Sequence, residues 1–501
     1  MKRRGRWLED GEQVFLTVAL ATALLWLLLR ALAFFCAQMT DHALTPDWAW
    51  LYRAGLYLLE ARRLPATDLF SWTHPDREWV LYQWLFEAGS AAAYQWLGRA
   101  GAVAGLSLLA IALYVLVPAW HARRRGVPVL LTAVLGSLVL VPVGVNFGLR
   151  PMAVTTAGLL VQYLLVTRWR EGGLGTPALA ACLAGLYVVW ANAHLGVVLG
   201  LLSLGLFALG DARQRHPAPR AYAAPALAAF GATLVNPYGP GIYVYLAGLS
   251  LKTPMNRQIS ELAPPDMGSA PFVLAGALLI LFLLDLLRGR RGYAGHEILH
   301  LLVFAALAAL SLRMVVWAGL FYVLVVPAGL WRAVQAYPHH LAGIRAALAM
   351  LARADRVLLP ALALAALALA TWVVPLERPV RIAHCDDLRP AIRYLDTTYP
   401  RDIRWFSDEV AGSCALLHAP DRPVFGDTRF DFYPQDFVLD WFAAIKGRDG
   451  WRAFLDDWDV AVVLVSTRRP LAAALRADSG YVVVHEDRHA VVVERRPVAG
   501  P

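Results

Sequence analysis

Seven polar side chains of types suited to chemistry lie in breaks between the long apolar runs of this sequence. They are Asp41, Asp47, Asp68, Arg150, Asn192, His194 and Arg313. A carboxylate or an imidazole can take a proton from a hydroxyl group, and a guanidinium group binds phosphate through paired hydrogen bonds. An enzyme that acts on an anionic, lipid-linked substrate would need this mixture of residue types.

The longest of these breaks spans residues 38–88 and is too rich in Trp, Tyr, Leu and Phe for a flexible loop. Thr45, Pro46 and Asp47 favour a helix start, because they supply a capping hydroxyl, a fixed φ and a first-turn carboxylate. Apolar positions then recur at helical spacing, at Trp48, Leu51, Tyr52, Gly55, Leu58 and Leu59. This pattern predicts an amphipathic helix at the membrane surface.

A second helix is predicted to begin near Glu78 in the same break. One side of it would present Trp79, Gln83, Phe86, Glu87 and Ser90. Later breaks contain an Asn-Pro-Tyr-Gly sequence at 236–239 and a polar segment with Lys252, Asn256, Arg257 and Glu261. We expect these carboxylates, amides and cationic groups to converge at one face of the membrane.

Simpler roles remain open for each of these residues. Asp47 can be a first-turn acid that only stabilises the helix dipole, and His194 can be an interfacial hydrogen-bonding residue. The Asn236 to Gly239 stretch is a turn by composition, and Arg150 can extend its guanidinium group to lipid headgroups. The functional interpretation therefore depends on the convergence of the whole set.

The composition predicts a polytopic membrane protein. Of the 501 residues, 58% are apolar and 17% are charged, and the mean hydropathy is +0.51. Soluble globular proteins carry about 25% charged residues. These values exclude an intrinsically disordered chain and argue against a soluble enzyme.

The net charge of +9 comes from the part of the chain that holds the apolar runs. Residues 1–375 contain 29 basic and 17 acidic side chains, whereas residues 376–501 contain 17 and 20. Nineteen of the 29 basic residues form six clusters, separated by apolar sequence long enough for two membrane passes. This positive-inside pattern predicts a cytoplasmic N-terminus and a tail on the outer side, and it removes the case for a nucleic-acid partner.

The apolar runs predict about eleven transmembrane helices within a membrane domain of residues 1–375. They lie near 13–37, 101–120, 127–143, 152–168, 176–191, 194–210, 221–236, 271–287, 297–312, 314–332 and 356–374. Residues 297–332 could instead form one helix, but that helix would be about 54 Å long, which is too long for a bilayer. We therefore predict two helices there.

Residues 376–501 are predicted to form a small extracytoplasmic α/β domain. An amphipathic segment follows Cys385, and strand-like runs at 460–465, 481–484 and 490–493 alternate with helical stretches near 434–457 and 469–477. Cys385 and Cys414 could form a disulfide on the outer side of the membrane. The aromatic and charged segment 425–437 could bind sugar by stacking, although a packed loop is the simpler interpretation.

These regions contain six different short motifs: Pro65 to Thr73, Trp84 to Glu87, Arg150-Pro151, Asn192 to His194, Asn236 to Gly239 and Val424 to Arg429. With these motifs, the chain resembles the GT-C class of membrane glycosyltransferases, and most closely a group of bacterial polytopic proteins. Members of the class use polyprenyl-phosphate-linked sugar donors at the outer membrane face. In the large first outer loop of these enzymes, an acidic residue opens a surface helix. The resemblance covers most of the chain.

The resemblance implies a glycosyltransferase of the bacterial inner membrane that moves a sugar from a polyprenyl-phosphate carrier to an envelope acceptor. Asp47 would be the base or a carboxylate that orients the acceptor, with Glu87 and His194 completing the catalytic pocket. The lipid phosphate would be bound by Arg150, Arg257 and Arg313. Further substrate contacts would come from Asp41, Tyr52, Asp68, Trp84, Asn192, Asn236 and Tyr238.

Two features depart from the pattern of the class. Trp48 follows Asp47 where many relatives have a second acid, and Asp76 to Trp79 stands where several subfamilies have Lys-Pro-Pro. A divalent metal remains open as a cofactor, because Asp41 and Asp68 are the nearby carboxylates that could join Asp47 as ligands. The sequence contains no metal-binding motif that would decide this.

Two functions of other kinds also remain open. A transporter or flippase for a lipid-linked sugar would favour paired repeats and polar residues near the membrane midplane, and neither pattern is clear in this sequence. A non-catalytic envelope scaffold would depend on residues 376–501 and not on the carboxylate of Asp47.

Overall fold

The computed structural model describes residues 2–212, 219–288, 292–336, 342–373 and 380–496. The internal contacts of the chain divide it into two compact units. The first, called the helical unit, comprises Met1–Ala43, Arg99–Val235 and Ser260–Val380. The second, called the mixed unit, comprises Leu44–Gly98, Asn236–Ile259 and Arg381–Pro501. The two early segments of the mixed unit had been predicted to belong to the membrane domain.

Apolar helices build the helical unit. The helix Trp84–Ile111 belongs to this unit from Arg99 onward and continues into a π-helical turn, Ala112–Leu116. The other helices of this unit within the described residues are Lys2–His42, Val117–Arg124, Val129–Gly144, Met152–Arg170, Thr176–Ala191, Val197–Gly210, Ala223–Thr233, Ala270–Arg288, Gly295–Leu310, Val315–Ala336, Ala342–Ala352 and Asp355–Ala368. Each predicted span overlaps one or more of these helices, and residue 374, where the last span was predicted to end, lies outside the described residues.

Among the described residues, four helices are long and apolar enough to cross a membrane. They are Val14–His42, Trp84–Arg124, Ala270–Arg288 and Leu312–Ala336. The pair Gly343–Ala352 and Asp355–Thr371, bent by 85°, provides a possible fifth span, and several further apolar helices have 10 to 17 residues. The chain is therefore a multi-pass membrane protein. The total of eleven spans stays a prediction, because the shorter helices fall below the roughly 20 residues of a full crossing.

The prediction of two helices within 297–332 is confirmed. Gly295–Leu310 ends at Ser311, whose backbone is extended, and Val315–Ala336 follows after a single 3-10 turn. Residues at this break hydrogen-bond to the segment 261–263: Ser311 Oγ donates to the carbonyl of Glu261, and the Leu312 N–H donates to the carbonyl of Ala263.

The tail of the chain contributes a four-stranded sheet to the mixed unit. Its strands are β1 (Trp405–Ser407), β2 (Val462–Ser466), β3 (Tyr481–Glu486) and β4 (Ala490–Arg495). They lie in the order β1-β2-β4-β3, with β1 parallel to β2 and the other neighbours antiparallel. The predicted strands near 460–465, 481–484 and 490–493 are thereby confirmed, whereas the three-residue β1 was not predicted.

Helices pack around this sheet as the alternation of patterns predicted. The helices of the tail are Cys385–Thr398, Glu409–His418, Gln435–Ile445, Trp451–Asp457 and Pro470–Ala477. Cys385 and Cys414 form a disulfide that joins the first two of these helices. The helix Glu409–His418 had no counterpart in the sequence prediction, although Asp408 caps it through a hydrogen bond from the Ala411 N–H.

The early segments of the mixed unit contain the helix Asp47–Ala61, called the Asp47 helix, together with Gly241–Leu251 and the short helix Thr253–Asn256. The Asp47 helix packs closely against the helix that begins at Trp84. A Cβ atom at Gly55 would lie 2.3 Å from the carbonyl oxygen of Glu87 and 2.6 Å from the Cβ of Ala91, so the contact requires glycine. The predicted apolar face is therefore largely buried in protein, although Leu59 is exposed.

The prediction of a helix from Glu78 is wrong, because that helix begins at Trp84. Residues 66–79 instead fold back on themselves. Thr67 and Glu78 form an antiparallel bridge, the Asp68 N–H donates to the carbonyl of Arg77, and the Trp79 N–H donates to the carbonyl of Ala66. These pairings occupy the backbone groups that a helix would have used.

Candidate active site

Asp47 lies in the first turn of the Asp47 helix, as predicted, but the helix begins one residue later than predicted, with Pro46 and not Thr45 at the cap position. Pro46 precedes it with φ of −54°, and the first backbone hydrogen bonds run from the Trp48 N–H to Thr45 and from the Ala49 N–H to Pro46. The side chain of Asp47 is half-buried. A carboxylate at this position is stabilised by the positive end of the helix dipole.

Three aromatic rings lie together near the start of the Asp47 helix, two from this helix and one from the helix that begins at Trp84. The ring centroids of Trp48 and Tyr52 are 5.5 Å apart, and that of Tyr94 lies 5.1 Å from Trp48 and 5.0 Å from Tyr52. Burial raises the pKa of Tyr52, with a further contribution from Tyr94, so its hydroxyl stays protonated. Tyr94 was not predicted, because only the packing of two helices brings it to Tyr52.

Glu87 lies in the first turn of the helix that begins at Trp84, and its side chain is fully buried. Gln83 Nε2 donates to Glu87 Oε1 over 3.1 Å, while Oε2 has no hydrogen-bond partner among the described residues. Gly55 of the Asp47 helix also packs closely against the backbone carbonyl of Glu87. Glu87 therefore lies at the contact with the Asp47 helix and can act on catalysis through the position of that helix.

Asp68 belongs to a buried ion cluster. Its carboxylate accepts hydrogen bonds from Phe70 and Ser71 and lies 2.7 Å from Arg429 Nη1, and Arg429 also pairs with Asp427 through two nitrogens. Burial alone would raise the pKa of Asp68, but Arg429 and the hydrogen bonds hold it below its usual range. The cluster is closed, which favours a structural role for Asp68 over the predicted substrate contact.

Aromatic rings enclose the guanidinium group of Arg429. Its central carbon lies 4.5 Å from the ring of Trp79, 4.8 Å from those of Phe70 and Phe432, and 5.9 Å from that of Tyr433. Cation–π attraction is strong for a desolvated guanidinium group. The segment 425–437 is thus packed within the mixed unit, as its simpler interpretation predicted. The motif around Asp427 and Arg429 was recognised in the sequence, but its partner Asp68 was not.

The sequence Asn236 to Gly239 forms a turn, as its composition predicted. Asn236 Oδ1 accepts from the Tyr238 N–H over 2.8 Å, Asn236 Nδ2 donates to the carbonyl of Gly239, and Gly239 has φ of +53°. Tyr238 uses its hydroxyl to accept from the Leu81 N–H over 2.8 Å, and burial raises its pKa. The turn thus holds the strand-like segment ahead of Trp84.

The mixed unit contains a cavity of about 220 Å³, called the Lys252 cavity. It is lined by Arg77, Glu78, Trp79, Val80, Tyr245, Gly248, Leu249, Lys252, Asp431 and Phe432. The lining residues of the helix Gly241–Leu251 recur at helical spacing with Lys252 at its end, a signal that could have been read in the sequence.

Hydrogen bonds hold the charged groups of the Lys252 cavity in place. Lys252 Nζ donates to the carbonyls of Asp431 and Tyr433 over 3.0 and 3.2 Å, and burial lowers its pKa. Tyr245 donates to Asp431 Oδ2 over 2.9 Å, and Arg77 Nε donates to the carbonyl of Phe432 over 2.7 Å. Two cationic groups, two carboxylates and aromatic walls are suited to the hydroxyl groups and the C–H face of a sugar ring.

Within the helical unit, Arg150 and Arg313 share one carboxylate. Glu261 accepts from Arg150 Nη1 through Oε1 and from Arg313 Nη2 through Oε2, the latter over 3.0 Å. Burial would raise the pKa of Glu261, but the two guanidinium groups hold it well below its usual range. The trio carries one net positive charge, and the side chain of Arg313 is 39% exposed, so an anion can approach it. Glu261 was noticed in the sequence but was not predicted to neutralise these arginines.

His194 and Asn192 lie in the turn between Thr176–Ala191 and Val197–Gly210. His194 Nδ1 is 2.6 Å from Thr155 Oγ1, which also accepts from Trp190 Nε1. Asn192 Nδ2 donates to the carbonyls of Val188 and Val235, as a capping residue would.

Asp41, half-buried, lies near the end of the helix Lys2–His42, and Arg257 is exposed in the mixed unit. Among the described residues, no three His, Cys, Asp or Glu side chains come together as metal ligands.

The chain shares its fold with solved membrane proteins. ArnT from Cupriavidus metallidurans bound to undecaprenyl phosphate is 14% identical, with a TM-score of 0.51 over 97% of this chain and 99% of that one. The archaeal oligosaccharyltransferase AglB from Archaeoglobus fulgidus, in complex with an inhibitory peptide and a dolichol-phosphate, is 11% identical, with a TM-score of 0.57 over 88% and 69%. No protein-family model and no curated protein sequence matches the chain. The fold of this multi-pass membrane protein is that of the GT-C class, as the sequence predicted.

Proposed function

We propose that the protein is a membrane glycosyltransferase that moves a sugar from a polyprenyl-phosphate carrier to an envelope acceptor. The observation that carries the proposal is the fold, shared with two proteins solved with a polyprenyl phosphate bound, together with a carboxylate at the start of the Asp47 helix. The disulfide between Cys385 and Cys414 supports an outer-face location for the mixed unit, because disulfides persist outside the reducing cytoplasm. The inner membrane of a bacterium is the proposed site of action.

The proposed reaction exchanges one carbon–oxygen bond for another. The bond between the anomeric carbon and the phosphate oxygen breaks, and the acceptor hydroxyl oxygen bonds to the same carbon. Asp47 takes or orients the hydroxyl proton, and polyprenyl phosphate leaves with the electron pair of the broken bond. Carboxylate assistance of this kind contributes about 10² to 10⁴ in rate.

The remaining predicted residues receive supporting roles in the proposal. Arg150, Arg257 and Arg313 are the candidates for the lipid phosphate, whose charge grows as the bond breaks. Glu87 positions the Asp47 helix through the contact at Gly55, and His194 orders the turn beside Thr155. The Lys252 cavity is the proposed site for the polar head of the donor.

The experiment that tests the proposal measures release of free polyprenyl phosphate from a panel of labelled polyprenyl-phosphate sugars by the protein in liposomes. Asp47→Asn is expected to lower release by at least about 100-fold, because it removes the proton acceptor. Asp449→Asn, at an exposed position of the mixed unit, is the matched control and should release at the wild-type rate.

No release from any donor would contradict the proposal. Movement of the intact lipid-linked sugar between leaflets would then indicate a transporter, and the absence of both activities would favour a scaffold. Equal release by the wild type and by Asp47→Asn would support glycosyltransferase activity and contradict the proposed role of Asp47.

The role of the Lys252 cavity can be tested separately at Gly248, where an added Cβ meets no atom within 4 Å. Gly248→Leu is expected to fill the cavity without disturbing the helix and to raise KM for the donor by about tenfold or more. Gly241→Leu is the control, because Gly241 lies in the same helix, is equally open and does not line the cavity. An unchanged KM in Gly248→Leu would remove this cavity from the donor site.

A further inference from the structure

A second cleft of the mixed unit, of about 250 Å³, lies along the Asp47 helix. Arg53, Leu56, Tyr57 and Glu60 line it from the helix. Their spacing of three, four and seven residues puts them on one face, and this face is not the one that carries Gly55. The cleft shares no lining residue with the Lys252 cavity.

The walls opposite the helix are held in place by hydrogen bonds. Arg422 is almost fully buried, and its guanidinium group donates to Asp396 and to the carbonyls of Tyr399 and Pro400 over 2.6 to 3.2 Å. The Val424 N–H donates to the carbonyl of Phe70, and Arg53 Nη2 reaches the carbonyl of Pro420. The cleft is therefore formed before any ligand arrives, which lowers the entropy lost on binding.

The cleft is lined by both apolar and charged side chains. Leu56 and Phe70 are among the apolar residues, and Arg53, Glu60 and Asp421 are among the charged ones. Glu60 is exposed, and the side chain of Asp421 is 65% exposed, so both carboxylates can accept hydrogen bonds from a ligand. A sugar ring has one apolar C–H face and a rim of hydroxyl groups, and Tyr57 offers a ring against which such a face can pack. The lining contains two guanidinium groups, Arg53 and Arg422, and two carboxylates, and Arg422 also pairs with Asp396, so there is no excess of positive charge to favour a phosphate.

We propose that this cleft binds a saccharide unit of an oligosaccharide acceptor, at a distance from the bond-forming site. At 1.5 Å per residue, Arg53 to Glu60 lie about 9 to 20 Å along the helix axis from Asp47. A single sugar ring cannot reach from Asp47 into the cleft, whereas a chain of several sugars can. The assignment of the acceptor rests on the proposed glycosyl transfer, but saccharide binding by the cleft does not.

The test is a binding measurement on the full-length protein in detergent, by saturation-transfer NMR and calorimetry. The probes are two neutral tetrasaccharides, cellotetraose and tetra-N-acetylchitotetraose. The wild type is expected to bind at least one of them, and the double variant Tyr57→Ala, Glu60→Gln should bind it at least about tenfold more weakly, since it loses a ring and a charged acceptor. Asp449→Asn, which keeps the cleft intact, should bind within about twofold of the wild type.

Binding of neither tetrasaccharide by the wild type would overturn the proposal, and so would equal binding by the wild type and the double variant. Glu60→Gln alone, at an exposed position, provides a variant that folds if the double variant does not, and it should weaken binding about threefold or more. The wild type separates the two proposals. If the wild type binds the tetrasaccharide but releases no polyprenyl phosphate from any donor, the result supports saccharide binding by the cleft and contradicts the glycosyltransferase.

Discussion

Two ion clusters in this molecule combine arginines and carboxylates in opposite ratios: one arginine with two carboxylates, and two arginines with one carboxylate. In the mixed unit, one arginine, Arg429, lies between Asp68 and Asp427, and all three are buried. In the helical unit, Arg150 and Arg313 share Glu261, and the side chain of Arg313 remains 39% exposed. The first cluster thus joins two carboxylates to one guanidinium group, whereas the second joins two guanidinium groups to one carboxylate and is partly exposed. This difference separates a structural ion cluster from a candidate anion site.

The largest effect is expected from Arg429→Met. The substitution leaves Asp68 and Asp427 buried without their cation, and breaking a buried pair in this way typically costs about 3–5 kcal/mol. We expect a large drop in the thermal unfolding midpoint of the detergent-purified protein and loss of resistance to proteolysis within residues 381–496.

The control is Arg401→Met, which breaks an ion pair with Asp421 whose side chains are both more than 60% exposed. Such pairs contribute about 0–1 kcal/mol, so little change is expected. Similar midpoints for the two variants would show that the closed cluster does not stabilise the fold.

The cluster of Arg150, Arg313 and Glu261 is called the open cluster. Substitutions there are expected to change lipid binding about tenfold and to leave folding unchanged. Arg313→Gln should weaken binding of undecaprenyl phosphate, because a hydrogen bond to a charged group is worth about 1.5–3 kcal/mol. Glu261→Gln should strengthen binding, because it removes the carboxylate that competes with the phosphate for both arginines. Binding of the labelled lipid to the protein in detergent measures both effects.

Opposite responses of these two variants are the signature of an anion site. If Arg313→Gln and Glu261→Gln both lowered the unfolding midpoint and left lipid binding unchanged, the open cluster would be structural too. The contrast between the two clusters would then fail.

The smallest effect is a dependence of stability on pH near the closed cluster. Burial, with help from Arg77, lowers the pKa of His74 from 6.5 to about 4, and Asp68 opposes the shift only in part. The unfolded chain therefore binds a proton between pH 6.5 and 4 that the folded protein does not, so the contribution of His74 is complete above pH 6.5 and is lost as the pH falls towards 4.

His74→Phe keeps a ring against Phe437, whose centroid is 4.5 Å from that of the imidazole, and removes the titration. The unfolding midpoint of this variant should fall less than that of the wild type between pH 7 and 4. Parallel pH profiles for the two proteins would contradict the assignment.

Much of the helical architecture could be predicted because it depends on local sequence. Apolar runs and clusters of arginine located the helices, and the thickness of a bilayer predicted two helices within 297–332, which the structure separates at Ser311. Pro46 and Asp47 marked a helix start, and Asn236 to Gly239 marked a turn, because these signals act over three or four residues. The tail alternated between strand and helix patterns for the same reason.

The predictions failed or stopped where partners are distant in sequence. The segment before Trp84 has a helical pattern, yet the bridge between Thr67 and Glu78 makes it extended. Asp68 was predicted to contact the substrate, and its ion pair with Arg429, 361 positions away, was not predicted. Glu261 was likewise noticed without the two arginines it joins.

The sequence by itself thus determined that this chain crosses a membrane several times, where most of its apolar helices lie, and that Asp47 belongs to the first turn of one helix. Those properties follow from hydrophobic periodicity, charge asymmetry and short-range capping, which a few neighbouring residues define. Only the tertiary structure decided which charges are neutralised and which remain available, and which side chains line the two cavities. Neutralising a charge requires a counter-ion within a few ångströms in space, and in a folded chain that partner can lie anywhere in the sequence.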